Sequence, residues 1–123
     1  MKKILLLILL VLPVSSQAYT YEQFNTAYTA DYLATVDIKD DIDLLVAKSH
    51  LAATLDAYNT ANLVSVKEIK LELFCGLSKA QMNLDVFHNI IRLYVARFPK
   101  VASDPFSVTA YYALKHEFDC NQK

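Results

Sequence analysis

Glycine is almost missing from this chain. Gly76 is the only one among 123 residues, where average usage near 7% would place about eight in a domain of this size. Glycine supplies the positive φ that tight hairpins and phosphate-cradling loops require. Its scarcity therefore disfavours a β-rich fold, a P-loop and a dinucleotide fingerprint together. A Gly-x-Ser-x-Gly nucleophile elbow is impossible with one glycine. Tryptophan is absent and proline occurs three times. No basic stripe runs along the chain, so nucleic acid and anionic lipid surfaces gain little electrostatic support as partners. No apolar run reaches the roughly 20 residues of a membrane-crossing helix. What remains predicts a small all-α domain, a bundle of about four helices.

The longest apolar run has its own meaning. Met1-Lys2-Lys3 precedes Ile4 to Val14, and Ser16-Gln17-Ala18 follows. A charged start, a short apolar stretch and a small-x-small site form an export signal, with the cut expected after Ala18. No cysteine follows the cut to carry a lipid. Residues 19–123 then form one domain, with ten basic against thirteen acidic residues. Such a chain is expected in an oxidising compartment, a bacterial periplasm.

Helical periodicity organises the mature part. Tyr21, Phe24, Tyr28 and Tyr32 share one face of a helix expected over 21–35. A second helix is expected from Asp37 as N-cap to about Asn62, with Asp40 and Asp41 in its dipole-favoured first turn. Its inward stripe reads Ile38, Ile42, Leu45, Ala52 and Leu55. Residues 64–74 mix a period of two with helix-compatible Lys67-Glu68 and are expected to form a loop with a short helical or extended piece. Asn83 caps a third helix carrying Leu84, Phe87, Ile91, Val95 and Phe98, which Pro99 stops. Asp104 and Pro105 read as N-cap and N1 of a last helix to about Phe118. Antiparallel packing of these last two helices would bring Cys75, before one, to Cys120, after the other. A disulfide between them is expected, and no Cys-x-x-Cys spacing supports a redox pair.

Residues that carry chemistry are sparse. His50, His88 and His116 form no His-Glu-x-x-His pair and no zinc spacing, so neither metal nor cofactor is expected. His88 reads as a boundary residue beside Phe87, and His50 and His116 as solvated. No Asp or Glu pair is singled out as acid and base; an enzyme is not expected. Asp37, Asp40, Asp41 and Asp43 read either as a solvated helix start or as an acidic surface offered to a partner's cleft. Their spacing does not match a calcium loop. Adjacent Tyr111 and Tyr112 cannot both face inward on one helix, and eight tyrosines suggest amphipathic contact surface. Asp40, Asp41, Asp43, Tyr111 and Tyr112 are therefore the candidate partner-binding residues.

Phe74-Cys75, the helix Leu84 to Pro99, Ala113-Leu114 and Phe118-Asp119-Cys120 together resemble the Tai-like immunity family. Members carry Phe-Cys, an amphipathic helix ending in proline, Ala-Leu and a terminal Phe-Pro-Cys. His50-Leu51-Ala52-Ala53-Thr54-Leu55-Asp56-Ala57-Tyr58 is similar to the family's helix bearing a Gly-x-x-Asp element. The resemblance spans roughly residues 50 to 120, with Ala53 and Asp119 where members have glycine and proline. It implies an all-helical periplasmic homodimer that blocks a peptidoglycan-cleaving amidase toxin delivered by type VI secretion, with no chemistry of its own. A periplasmic stress chaperone, or an exported helical binding protein of another role, is the alternative expectation.

Overall fold

The computed structural model describes residues 19–29 and 38–121, with side chains from 19 to 28 and from 42 to 121. The expected export signal, Tyr32 and the Asp37 cap lie outside the described residues. Four α-helices stand among those described: α1 (Tyr21–Thr29), α2 (Ile38–Ile69), α3 (Leu84–Arg97) and α4 (Phe106–Glu117). Two 3-10 turns, Leu77–Lys79 and Pro99–Ser103, link the later helices. The only β pairing among the described residues is an isolated bridge between Thr20 and Pro105. The domain is all-α, with one disulfide from Cys75 to Cys120.

The 32-residue α2, about 48 Å long at 1.5 Å per residue, is the spine on which α1, α3 and α4 pack. The core gathers Phe24 of α1, Leu51 of α2, Phe74, Phe87 and Ile91 of α3, and Phe106 and Leu114 of α4, all buried. Burying each of these side chains contributes about 2 kcal/mol relative to exposure. Phe24 and Phe106 stack with centroids 4.5 Å apart and join the first helix to the last.

Two expectations on α2 are corrected. Residues 64–69 continue the helix instead of opening a loop. Lys70, at φ 60°, then ends it in the left-handed cap conformation, its N–H donating to the Val66 carbonyl. The period-two hint of Val64 and Val66 yields because Ser65 donates to the Leu71 carbonyl and Asn62 accepts from Phe74 N–H. Both polar side chains thereby fasten the helix end to the chain that follows. The inward stripe is also different: Ala47, Leu51, Leu55, Asn62 and Ser65 are buried and Tyr58 partly so. Ile42 and Leu45 point outward, and Ala52 is exposed; of the expected residues with described side chains only Leu55 faces in.

The C-terminal helices agree with their local signals. The Asn83 side chain accepts from Val86 N–H at 2.9 Å, and Pro99 opens the turn that follows α3. The start of α4 is a third correction. Its cap position is Pro105, not Asp104, and no side chain caps it. The Phe106 N–H instead donates to the Tyr19 carbonyl at 2.6 Å. A strand-like strap from the N-terminal segment thus satisfies a donor that helix geometry leaves open.

Candidate functional site

The outward face of α4 carries Val108, Tyr111, Tyr112 and Lys115 at spacings of three, one and three. Its inner face buries Phe106, Thr109, Ala110, Ala113 and Leu114, so this orientation is set by the helix period. Tyr111 is 36% and Tyr112 49% exposed. Their rings meet edge to face at 5.4 Å, and Tyr111 also rests on Tyr58 at 6.0 Å and Phe74 at 5.7 Å. Tyr58 in turn donates its hydroxyl to the Ser107 carbonyl. Burial, with Tyr111 close by, holds the Tyr58 phenol above its ordinary range and so neutral. The exposed pair is therefore propped from beneath by rings that have little freedom to move.

Asp43 occupies a different place. It is exposed and lines a recess of about 470 Å³ with Glu22, Gln23, Thr26 and Tyr19, between α1 and the start of α2. Burial, and secondly Asp43, raise the Tyr19 phenol. The Tyr19 hydroxyl is buried with no hydrogen-bond partner. Fifteen residues of α2 separate Asp43 from Tyr58, about 22 Å along the axis, so the acidic and tyrosine candidates form two patches. Asp40 and Asp41 lie in the first turn of α2, with their side chains outside the described residues.

Two further surfaces had no expectation in the sequence. The outer face of α2 exposes Ile42 (56%), Leu45 (65%), Val46 (41%), Leu63 (53%) and Val64 (50%). Exposed Ala53, Ala57 and Thr60 lie between them on that face. Apolar residues on both faces hide the helix's inner stripe from periodicity arguments. The second surface is a groove of about 690 Å³ along α3, lined by Val86, Ile90, Leu93, Ala113, His116 and Phe118. Arg97 lies over the Phe98 ring at 5.6 Å near its edge.

The segment after α2 is held by a polar network. Glu72 accepts from Gly76 N–H at 3.0 Å and Ser78 hydroxyl at 2.6 Å. The Ser78 hydroxyl, the Gly76 N–H and the Asn62 amide hold its carboxyl below the ordinary value. Gly76 sits at φ +90°, a left-handed conformation that side chains rarely adopt. Cys75 N–H bonds to the Phe118 carbonyl beside the disulfide, whose Cα atoms are 5.0 Å apart. Asn62 is buried although polar, and its bond to Phe74 N–H has no local trace in the sequence.

All three histidines lie against rings. His50 stacks on Tyr19 at 4.1 Å, His88 on Tyr28 at 4.3 Å, and His116 faces Tyr94 and Phe98. His50 and His116 are exposed and His88 is partly buried, as the sequence suggested. Among the described residues no group of three or more His, Cys, Asp or Glu is placed to hold a metal, and no helix is long and apolar enough to cross a membrane. What the surface offers is contact area in several patches. No protein-family model, curated protein or solved structure matches this chain.

Proposed function

We propose that residues 19–123, freed from their export signal, act as a periplasmic immunity protein that binds a secreted peptidoglycan-cleaving amidase and occludes its active site. The observation that carries this reading is the propped, exposed Tyr111–Tyr112 pair on α4. Tyrosine at an interface supplies large apolar area with a polar tip at low entropic cost, and such residues dominate binding energy. The pair is held on a helix whose inner face is buried and whose end is closed by the disulfide, so little ordering entropy opposes docking. Resemblance to the Tai-like immunity family supplies the toxin class and the type VI setting. The disulfide fits an oxidising compartment.

The proposal includes a homodimer. The outer face of α2 supports it: small residues at Ala53 and Ala57 let a second helix approach, and larger ones flank them on both sides. Asp43, about 22 Å from the tyrosines along α2, would serve as a separate acidic contact.

The test is inhibition of a purified type VI amidase by the mature, oxidised chain, read as cleavage of peptidoglycan cross-links. Inhibition should saturate at equal molar amounts and weaken at least about tenfold in a Tyr111→Ala/Tyr112→Ala variant. An uninhibited enzyme, with unchanged survival of gene-deleted cells beside an armed sibling strain, would overturn the reading. Binding to many unrelated unfolded clients instead would favour the chaperone.

A further inference from the structure

α1 and α3 are neighbours joined by rings and not by backbone. Among the described residues their main chains do not come into contact, whereas α1 packs directly on α2, α4 and the 99–103 turn. The bridge is the His88 ring, stacked on Tyr28 at 4.3 Å and tilted against Phe24 at 5.7 Å. Its Nε2 is buried and accepts no hydrogen bond. A proton placed there would create an N–H with no acceptor, an unfavourable state for a buried charge.

We infer that α1 is a latch that closes only on neutral His88, opens when the imidazole takes up a proton, and then uncovers Phe106. The surroundings agree. Burial first, and the Arg92 guanidinium second, hold the imidazole below its ordinary value of 6.5, with Asp85 opposing weakly. Arg92 and Asp85 both belong to α3. From α1 the titratable groups on this side are the phenols of Tyr21, which Arg92 also reaches, and Tyr28. The 99–103 turn carries one charge, exposed Lys100, and α4 carries none before Lys115. Among the described residues, Asp85 is the one carboxylate that acts on the imidazole, and its effect is smaller than those of burial and Arg92.

Opening has a defined consequence. Phe24 covers Phe106 with centroids 4.5 Å apart, and Tyr19 meets the same ring edge to face. Withdrawal of α1 exposes a ring that is 1% accessible when closed. The other N-terminal attachments, the Tyr19 carbonyl to Phe106 N–H and the Thr20–Pro105 bridge, precede α1 in sequence. They allow the helix to swing while its leading end stays tethered.

Hydrogen exchange of the α1 amides between pH 7 and 5, corrected for intrinsic rate, tests this above the carboxylate range. The opening constant of α1 should rise as pH falls below 6.5 and level off once the closed-state value is passed. Amides of α3 and α4 should not follow it. Replacing His88→Phe keeps a ring in the stack and removes the charge, so its profile should be flat. An NMR titration of wild-type His88 should give a midpoint below 6.5, and it does not depend on any variant folding. Exchange independent of pH in the wild type, an equal slope in His88→Phe, or a midpoint at or above 6.5 would each overturn the latch.

Discussion

The segments on either side of α2 are fastened to the same helical body by opposite physics. Residues 70–80 are held by a covalent bridge, by Glu72 with its donors, and by Asn62 bonded to Phe74 N–H. Residues 19–29 are held by Phe24, by ring stacks to His50 and His88, and by one carbonyl strap. A covalent and polar anchor responds to reductant and to acid in the carboxylate range. An aromatic anchor around a neutral imidazole responds to deleted surface and to milder acid. The two ends of this small domain should therefore loosen separately.

The largest expected effect tests the covalent side. Replacing Cys75→Ala and Cys120→Ala together reopens a loop of 45 residues and should lower stability by about 4 kcal/mol on chain-entropy grounds. A denaturant midpoint, compared with that of the oxidised wild type, reads it. On the aromatic side, Phe24→Ala deletes a fully buried ring and should cost about 3 kcal/mol, at the lower end because α1 can settle into the space. With no partner shared between the two sites, the combined variant should lose the sum to within about 0.5 kcal/mol. A large departure from that sum would break the comparison and make the domain one cooperative unit at both ends.

Asn62→Ala comes next. It strips the acceptor from the buried Phe74 N–H and should cost about 2 kcal/mol, visible as faster exchange at Phe74 before any change in α1.

Acid sharpens the contrast through two windows of the same sign. Glu72 has a lowered carboxyl, so its contribution is present above 4.5 and is lost as pH falls through the folded value. His88 is a base with a lowered folded value, so its contribution is present above 6.5 and is lost as pH falls from there. Acidification should release the N-terminal segment first and the 70–80 segment only later. Exchange at Gly76 N–H reads the second event. Glu72→Gln should flatten it there while leaving the α1 profile unchanged; a shifted α1 profile in that variant would count against separate anchors.

How much of this was legible in the sequence follows from where each signal resides. Asn83, Pro99 and the cysteine pair act within a few residues or by covalent chemistry, so α3, its end and the disulfide could be read directly. The inner stripe of α2 could not, because Ile42, Leu45 and Val46 occupy the opposite face with equal hydrophobicity. Which face is buried is decided by α1, α3 and α4 together. The start of α4 was misread for a similar reason: its first donor is met by the carbonyl of Tyr19, 87 residues earlier. Among the candidate site residues, adjacency alone was enough to turn Tyr111 or Tyr112 outward. The ring support from Tyr58 and Phe74 is tertiary and has no local trace.

The smallest expected effect on stability belongs to Tyr112. It is half exposed, and its ring meets that of Tyr111, itself partly exposed. Tyr112→Ala should change the denaturant midpoint by less than about 0.5 kcal/mol, as surface substitutions do. Tyr111→Ala should cost more, because that ring also covers Phe74 and Tyr58. The two substitutions thus separate support from contact within one patch. If the patch binds a hydrolase, Tyr112→Ala should weaken inhibition while folding stays intact, and Tyr111→Ala should weaken both. Equal loss of stability in the two variants would mean that Tyr112 belongs to the packing of α4, leaving Tyr111 without a freely exposed companion.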